Sequence, residues 1–516
     1  MVGINTDMPK ESSHYSFFRR ATGLLGSSWF FWAVTALLVL QAAWIALSGR
    51  YPMAFDEDFH LGMIRLYAHH LSPFWDSQPA GGDAFGTVTR DPSYLYQYLM
   101  SFPYRLISLF TSDQTIQVLI LRALNIGLFV GGLVLYRRLL TKTGASGAIV
   151  NFCLLIFVLI PIVPLLAAQI NYDNLILPLA ALALLLAAGF DKSLGKGKRI
   201  DVKTLVALLL VCILASLVKY AFLPVFVAIL AFVVVRLTQR QRSVKDVLLN
   251  LARGWQHVPI SAKTVLAVSL VLAVGLFAER YAVNLARYHV PAPACDQVLT
   301  LEQCGNYPPW IRDYNFKKLN TGSSRGPIDF SEAWLRGMWL RTFFAVDGPA
   351  SNYETRGPLT VPALSAKVFL AIGGLATLLA FPRLLRRYDG ALIWLFVAST
   401  ISYVVVLWLT EYQAFLATGQ PVAINGRYLL VIWLPVFLIM AVSTDILLKN
   451  QRLLKLVLAS AAVLCLAWGG GGLTFVLRSS DSWYWPNSAA RAANHAVQRA
   501  VGPVMPGYNK PTQYLP

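Results

Sequence analysis

Long apolar segments alternate with short polar segments along almost the whole chain. The first apolar segment, residues 28–47, contains no charged residue and is long enough to cross about 30 Å of hydrocarbon as a helix. Ten further segments follow, so the sequence predicts an all-α polytopic membrane protein with about eleven transmembrane helices. The predicted spans are residues 28–47, 115–136, 148–168, 175–190, 205–217, 222–237, 265–281, 363–381, 391–410, 428–446 and 456–477.

Two features within these spans predict departures from straight helices. Lys219, Tyr220 and Pro224 separate the fifth and sixth apolar segments. One helix across residues 205–237 would be longer than a bilayer requires, so a hairpin with its turn near the outer surface is predicted. The run Gly469–Gly472 in the eleventh span indicates close helix packing or a kink.

The composition agrees with a membrane protein and limits the other functional classes. The 516 residues are 56% hydrophobic and 13% charged, whereas soluble domains are about 25% charged. The net charge of +19 is also typical of nucleic-acid-binding proteins. Here, however, the basic residues cluster in short loops between apolar segments, as in cytoplasmic loops of membrane proteins. No nucleic-acid partner is therefore predicted.

The basic loops also predict how the chain is oriented. Arg19 and Arg20 precede the first span, while Arg137 and Arg138 follow the second. Because cytoplasmic loops are rich in Lys and Arg, residues 1–27 are predicted to be cytoplasmic. The first apolar segment is too long for the core of a cleavable signal peptide, so it is interpreted as a signal anchor.

Eleven spans place the C-terminus on the opposite, external side. The predicted transmembrane domain covers residues 28–477, and the external tail covers residues 478–516. Trp483, Tyr484 and Trp485 in that tail suit the membrane surface, where aromatic rings are enriched. The predicted external loops, which carry short amphipathic helices, are residues 49–114, 283–362 and 411–427.

The five cysteines fall into two groups. Cys295 and Cys304 lie in the largest external loop, nine positions apart, and an oxidising compartment favours a disulfide between them. Cys153, Cys212 and Cys465 lie within predicted spans, where small apolar packing is the expected role. No Cys and His spacing resembles a zinc site.

Three consecutive acids, Asp56, Glu57 and Asp58, follow the first span. At the bilayer centre each would cost about 2.5–3.5 kcal/mol, so the triplet is predicted to lie at the membrane–water boundary. The following residues, 61–68, suit a helix that lies along the interface. A carboxylate held there can act as a base on a substrate from water while a lipid arrives from the bilayer.

A second acidic loop and several cations add to this candidate site. Tyr172, Asp173 and Asn174 precede the fourth span. The cations Arg122, Lys219 and Arg427 lie at or near membrane depth, where charges are usually paired and often functional. Since charge-assisted hydrogen bonds to phosphate oxygens are strong, these cations suit a lipid phosphate.

The positions of the two acidic loops are matched. Asp56 and Asp173 both stand at the mouth of a span, which predicts that they face one external cavity. Carboxylates suit Mg²⁺ or Mn²⁺, so a divalent metal held by this pair is an alternative. The sequence does not favour it, and no metal or other cofactor is predicted.

The motif Asp56-Glu57-x-x-His60 after the first span resembles the acidic first-loop motif of the GT-C glycosyltransferases. These integral membrane enzymes take a sugar from a polyprenyl-phosphate carrier. The loop before the fourth span is similar in placement to their second functional acid, here Asp173. The start of the tenth span, Gly426-Arg427-Tyr428, resembles poorly characterised bacterial members. The chain departs from the mannosyltransferases of the family by an extra Asp58 and by a His60 one position further along, which leaves open which carboxylate is the base.

The resemblance implies an inverting glycosyltransferase in a bacterial cytoplasmic membrane, with its active site facing outside. It would move a sugar from a polyprenyl-phosphate carrier to a hydroxyl of a lipid-linked glycan or cell-envelope acceptor. Asp56 would be the general base, Glu57 an alternative base and Asp173 a second catalytic carboxylate. The predicted substrate-binding residues, whose cations would stabilise the leaving phosphate, are Asp58, His60, Arg122, Tyr172, Lys219, Arg427 and Tyr428.

Each of these assignments has a structural alternative. Glu57 or Asp58 can cap the following helix near its positive end, and Asp173 can form an Asx turn. Arg427 can reach lipid head groups at the membrane surface, while Lys219 or Arg122 can neutralise a buried acid.

The main rival function is a transporter or flippase of a lipid-linked glycan. Such proteins place charges near the membrane midplane on broken helices, often in two pseudo-symmetric halves. Here the acids cluster at one predicted face and the sequence has no two matching halves, although Lys219 close to Pro224 fits the rival. A third option is a structural or assembly subunit, which does not need paired acidic loops.

Overall fold

The structure is a computed structural model. It describes residues 13–53, 55–194, 200–241, 243–320, 326–343, 360–478 and 487–505, with side chains described for residues 20–477 and 487–505 within these ranges. All regular secondary structure in these ranges is helical, which confirms the predicted all-α class. The aromatic residues Trp483, Tyr484 and Trp485 lie outside the described residues.

The helices are numbered in chain order. The first eleven are α1 (Ser13–Gly26), α2 (Ser28–Ser48), α3 (Glu57–Ala68), α4 (Leu95–Ser108), α5 (Gln114–Thr141), α6 (Gly147–Val158), α7 (Ile162–Ala167), α8 (Asp173–Ser193), α9 (Val202–Val218), α10 (Leu223–Arg240) and α11 (Val244–Gln256). The others are α12 (Ile260–Phe277), α13 (Val283–Tyr288), α14 (Cys295–Val298), α15 (Leu301–Cys304), α16 (Pro308–Leu319), α17 (Pro327–Phe343), α18 (Val361–Arg387), α19 (Gly390–Thr418), α20 (Leu430–Leu447), α21 (Arg452–Ala467), α22 (Gly472–Arg478) and α23 (Ser488–Val501). The sequence did not predict α1 or α11.

Nine helical segments in the described part of the chain are long and apolar enough to cross a membrane. They are Ser28–Ser48, Gln114–Thr141, Asp173–Ser193, Tyr220–Arg240, Ile260–Tyr288, Val361–Arg387, Gly390–Thr418, Gly426–Leu447 and Arg452–Leu477. The shorter apolar helices α6 and α9 coincide with the other two predicted spans. Since helices satisfy their own backbone hydrogen bonds in lipid, the fold is that of a polytopic membrane protein. The number of helices that cross the bilayer and their orientation stay predictions.

The third predicted span, residues 148–168, consists of two helices, α6 and α7, rather than one. The break falls at Pro161, because proline lacks an amide hydrogen and clashes with the preceding turn of a helix. The main-chain N–H of Gly471 donates to the carbonyl oxygen of Leu159 at 2.8 Å. Residues from the eleventh predicted span thus satisfy a carbonyl group at the break.

The eleventh predicted span is itself broken between α21 and α22. Gly469 and Gly471 have φ values of +87° and +56° there, a conformation that favours glycine. A Cβ atom on Gly471 would lie 2.1 Å from Oε1 of Gln41 in α2. The same oxygen accepts a hydrogen bond from the main-chain N–H of Gly472 at 2.6 Å. The glycine run therefore combines a kink with a close approach of helices.

The fifth and sixth spans are two separate helices, as predicted. Helix α9 ends at Val218, Lys219 has an extended backbone, and a 3-10 turn over Tyr220–Phe222 leads into α10. Both helices contact α8. The break removes Lys219 from regular helix and places its side chain against the start of α8.

Side-chain contacts near helix ends join segments that share a predicted face of the membrane. Asp191 at the end of α8 pairs with Arg236 near the end of α10, and both belong to predicted cytoplasmic ends. Nε1 of Trp44, near the predicted external end of α2, donates to Oδ1 of Asn494 in α23 at 2.8 Å. The C-terminal helix is thereby attached to the end of the first span from which the acidic loop emerges.

The predicted external regions pack over the acidic loop. Cys295 and Cys304 are joined by a disulfide, which confirms the predicted pairing. A few residues later, the ring of Tyr307 lies 6.5 Å from the ring of Phe59 in α3. Helix α17 packs against the 3-10 turn Gly426–Leu429 at the start of the tenth span. Both regions therefore border the acidic loop.

We expect Gly471→Ala to lower the free energy of unfolding by about 1–3 kcal/mol. A residue with a Cβ atom is strained at this φ value by about 1–2 kcal/mol, and the new atom would overlap with Gln41. Denaturant titration of the purified protein in detergent measures the change. Gly275→Ala in α12 is the control, because its added Cβ would meet no atom within 4 Å apart from the adjacent backbone of its own helix. Equal stabilities of the two variants would contradict the packing described here.

Candidate functional site

The acidic loop begins on a strained turn. Phe55 and Asp56 have φ values of +68° and +69°, in the left-handed region that residues other than glycine rarely adopt. The carbonyl oxygen of Phe55 accepts hydrogen bonds from Nη1 of Arg427 at 2.8 Å and from Nδ2 of Asn171 at 2.9 Å. Residues from two distant segments thus hold the turn, and strained backbone of this kind clusters at functional sites.

The Asp56 carboxylate lies at the surface, on top of a buried cation. The side chain of Asp56 is 55% exposed and that of Arg427 is 6% exposed. Nη2 of Arg427 donates to Oδ2 of Asp56 at 2.6 Å. Burial alone would raise the pKa of Asp56, but the charge and hydrogen bond of Arg427 lower it below the ordinary value, with smaller contributions from His60 and Lys219. The group is therefore an ionised carboxylate at neutral pH.

The neighbouring Glu57 is in the opposite situation. Glu57 and Arg122 form an ion pair in which both side chains are completely buried. Nε and Nη2 of Arg122 donate to the two carboxylate oxygens at 2.8 and 2.7 Å. The main-chain N–H groups of Met53 and Ile170 donate to the same carboxylate. Nη1 of Arg122 donates to two carbonyl oxygens at the C-terminal end of α2.

This arrangement corrects two expectations from the sequence. Each carboxylate oxygen of Glu57 already accepts two hydrogen bonds, and the side chain does not reach the surface, so Glu57 is not placed to act as a catalytic base. Arg122 is buried in the same pair and is not placed to bind a substrate. The alternative that Arg122 neutralises a buried acid describes the structure better, because the pair ties together α2, α3, α5 and the chain before α8.

A second ion pair is formed by Asp173 and Lys219. Nζ of Lys219 donates to Oδ1 of Asp173 at 2.5 Å, and both side chains are nearly buried. Oδ2 of Asp173 has no hydrogen-bond partner among the described residues. Burial lowers the pKa of Lys219, while the Asp173 carboxylate acts in the opposite direction. The pair therefore has one unoccupied acceptor oxygen inside the protein.

The ring of Tyr428 connects the two ion pairs. The centroid of this ring lies 4.9 Å from Nζ of Lys219 and 5.3 Å from Cζ of Arg427. Nζ of Lys219 also lies 4.7 Å from the ring centroid of Tyr172. Cations over aromatic faces are attracted by about 0.5–2 kcal/mol. The structure thus brings Asp56 and Asp173 into one group of charged and aromatic side chains, which we call the ion-pair cluster: Asp56, Tyr172, Asp173, Lys219, Arg427 and Tyr428.

His60 borders the ion-pair cluster from helix α3. Its ring makes an edge contact with the ring of Tyr172 at a centroid distance of 4.6 Å. Nδ1 of His60 lies 3.2 Å from the side-chain amide of Gln97. The amide oxygen accepts from Nδ1 when the amide nitrogen donates to the main-chain carbonyl groups of Ser93 and Tyr94, just before α4. In this tautomer Nε2 is an acceptor, and it has no partner among the described residues.

Burial sets the charge of His60. It lowers the pKa of the imidazole to about 3; Asp56 opposes this shift, while Arg427 and Lys219 add to it. The ring is therefore neutral at physiological pH and offers a lone pair instead of a positive charge. Asp58, by contrast, is exposed on the first turn of α3 and makes no ion pair with the described residues.

The sequence analysis did not predict that buried amide side chains form part of the site. Oδ1 of Asn125 accepts from the hydroxyl of Tyr96 at 2.8 Å and from Nδ2 of Asn174 at 3.0 Å. Asn171 connects the turn at Phe55 with the main-chain N–H of Asp173. The sequence contains one indication of these contacts. Asn125 lies within an apolar span, where an amide side chain usually has a polar partner.

Within the described ranges, no three or more His, Cys, Asp or Glu side chains are grouped closely enough to hold a metal ion. Asp56 and Asp173 each pair with a cationic side chain instead.

The sequence matches no protein-family model and no curated protein. The likeness to the GT-C glycosyltransferases therefore rests on the short motifs around Asp56, Asp173 and Arg427. The functional argument depends on the geometry of these residues.

We expect Glu57→Gln to lower the free energy of unfolding by about 3–5 kcal/mol, because it leaves the guanidinium of Arg122 buried without a counter-charge. Denaturant titration in detergent measures this loss. The matched control is Asp58→Asn, one residue further, whose exposed carboxylate contributes less than about 1 kcal/mol at a helix N-terminus. A Glu57→Gln variant as stable as Asp58→Asn would show that the buried pair is not structural.

The neutral state of His60 predicts a pH dependence of stability. In the unfolded chain the imidazole titrates near 6.5, whereas its folded pKa is about 3. The unfolded state thus binds more protons between these values, and stability present above pH 6.5 is lost as the pH falls, by about 1.4 kcal/mol per unit. His60→Gln should remove this slope between pH 6 and pH 4.

Unfolding curves at several pH values, recorded beside those of the exposed His69→Gln variant, measure the contribution of His60. A slope that is the same in the wild type and both variants would rule out a buried neutral imidazole at position 60.

Proposed function

We propose that the chain is an inverting membrane glycosyltransferase that uses a polyprenyl-phosphate sugar at its predicted external face. The observation that supports this proposal is the ion pair between the exposed Asp56 carboxylate and the buried Arg427 side chain, with Lys219 in the same cluster. A proton acceptor and two cations for a phosphate are then close to one another at the end of several apolar helices. That is where a lipid-linked donor and a water-soluble or lipid-linked acceptor can meet.

Asp56 acts as the general base in this proposal. The acceptor oxygen bonds to the anomeric carbon as the carbon–oxygen bond to the phosphate breaks, and the hydroxyl proton passes to Oδ1 of Asp56. Oδ2 stays bonded to Arg427. Because its pKa is lowered, Asp56 is a weak base towards a free alcohol. It takes the proton once the bond to the sugar has formed in part and the hydroxyl has become acidic.

Arg427 and Lys219 stabilise the departing phosphate. The bond to the sugar leaves its electron pair on the phosphate oxygen, and cations placed at the developing charge lower the barrier. Nε of Arg427 is buried without a partner among the described residues, and an ammonium group has three donors, of which Asp173 takes one. Both cations therefore keep donors for phosphate oxygens while their ion pairs remain.

Two acceptor atoms suit sugar hydroxyl groups. Nε2 of neutral His60 and Oδ2 of Asp173 are buried acceptors without a partner in the described residues. A buried polar atom left unpaired costs about 1–3 kcal/mol, so a hydroxyl that donates to either atom recovers this energy on binding. Asp173 and His60 are thus assigned to substrate binding.

A transporter or flippase of a lipid-linked glycan is the second candidate. The breaks at Pro161, at Lys219 and within Gly469–Gly471 favour it, because transporters form their sites on interrupted helices. The 55% exposure of Asp56 favours the enzyme, since a base must meet an acceptor from the aqueous side.

We expect Asp56→Asn to reduce sugar transfer at least about 10²-fold, the lower end for loss of a general base, with a smaller loss of stability than Glu57→Gln because the Asp56 side chain is 55% exposed. The amide oxygen can still accept from Arg427 but cannot take the proton. Transfer from a synthetic polyprenyl-phosphate sugar by the purified variant measures the effect.

The control for this assay is Asp76→Asn, which removes an exposed carboxylate of the same predicted external loop and should leave turnover near normal. Arg427→Lys tests the phosphate contact and should change both apparent donor affinity and turnover. Normal transfer by Asp56→Asn would contradict the proposed base. Absence of transfer by the wild type, together with movement of the lipid-linked glycan across vesicles, would favour the transporter.

A further inference from the structure

A second site candidate lies away from the ion-pair cluster, in a groove between α1, α6, α18, α20 and α21. The groove encloses about 770 Å³, within the range of pockets that hold small ligands. Its walls are largely apolar and include Phe152, Phe369, Phe437 and Leu456. Ile372 lines the groove and is 41% exposed, so the groove is open on the surface that would face lipid.

One end of this groove is basic. The charged side chains that line it are Arg387, Asp445, Arg452 and Lys455, three cations against one carboxylate. Nζ of Lys455 pairs with Oδ1 of Asp445 at 2.6 Å, and Arg387 and Arg452 are exposed. The groove therefore combines an apolar interior with an excess of positive charge at its mouth.

The basic mouth lies on the opposite membrane face from the ion-pair cluster. Arg427 stands at the start of the segment that contains α20, and Asp445 stands near its end. They are about 18 residues apart, or about 27 Å at 1.5 Å per residue, close to the thickness of the hydrocarbon core. A lipid whose phosphate sits at this mouth therefore cannot reach Asp56, so the site is separate from the proposed transfer reaction.

We propose that the groove binds an anionic phospholipid from the membrane leaflet opposite the ion-pair cluster. One acyl chain lies along the apolar walls, and the phosphate accepts hydrogen bonds from Arg387, Arg452 and Lys455. Basic pockets between membrane helices recognise anionic head groups in this way, and charge-assisted bonds to phosphate are strong. A soluble anion would leave the apolar walls unused, while a zwitterionic lipid gains less from an excess of cations. The bound acyl chain fills the space between these helices.

Native mass spectrometry of the purified full-length protein, re-lipidated with phosphatidylglycerol or with phosphatidylcholine, tests this proposal. We expect retention of phosphatidylglycerol at least about tenfold above phosphatidylcholine. Arg387→Gln combined with Lys455→Gln should reduce phosphatidylglycerol retention about tenfold or more, because each substitution removes a charge-assisted hydrogen bond to the phosphate. Asp445→Asn should increase retention, because it removes the negative charge from the mouth.

Two further variants separate the groove from general surface charge and from packing. Ala459→Phe places a ring in the groove and should abolish retention with all charges in place, whereas Ala461→Phe, on the other side of α21, should not. Arg386→Gln removes an exposed cation of α18 outside the groove and should have no effect.

Three results would overturn the proposal. They are equal retention of the two phospholipids, retention that is unchanged in Arg387→Gln/Lys455→Gln and Asp445→Asn, and displacement of phosphatidylglycerol by a polyprenyl phosphate, which would assign the groove to the transfer donor. Because Asp445→Asn alters one partly exposed side chain, the test does not depend on whether Ala459→Phe folds.

Discussion

The buried ion pair between Glu57 and Arg122 is the constraint on which the acidic loop depends. Taking two charges out of water costs several kcal/mol per ion unless the remaining donors and acceptors are satisfied. Here main-chain groups from the loop, from the end of α2 and from the chain before α8 complete the pair. Because these groups come from three places in the chain and Arg122 itself belongs to α5, the pair fixes where α3 begins relative to α2, α5 and α8.

That constraint explains how two adjacent acids come to lie in different environments. Glu57 is buried, and the left-handed turn at Phe55 and Asp56 places the Asp56 carboxylate at the surface. There it forms an ion pair with the buried side chain of Arg427. The difference in exposure decides the chemistry: a fully bonded buried carboxylate can only hold the structure together, whereas an exposed one with a free oxygen can accept a proton. The strain of the turn is opposed by hydrogen bonds to the carbonyl oxygen of Phe55.

Helix α20 connects the two candidate sites of the molecule. Arg427 in the ion-pair cluster precedes this helix, and Asp445 at the basic mouth of the groove stands near its end. Both sites set cations beside apolar helices, which is the combination that recognises a phosphate with a hydrocarbon chain. They differ in burial: the cations of the ion-pair cluster are buried, whereas Arg387 and Arg452 are exposed.

The sequence by itself determined the all-α class, the positions of the apolar helices, the break at Lys219, the disulfide and the acidic loop. These follow from local hydrophobic runs, from glycine and proline, and from cysteines only nine positions apart. It did not determine which acid of the triplet is exposed, nor which cation each acid meets. The partners are 65 positions apart for Glu57 and Arg122, 46 for Asp173 and Lys219, and 371 for Asp56 and Arg427. Such pairings depend on how whole helices pack, because a buried charge needs a counter-charge that is close in three dimensions. The local sequence around each charge does not indicate which counter-charge that is.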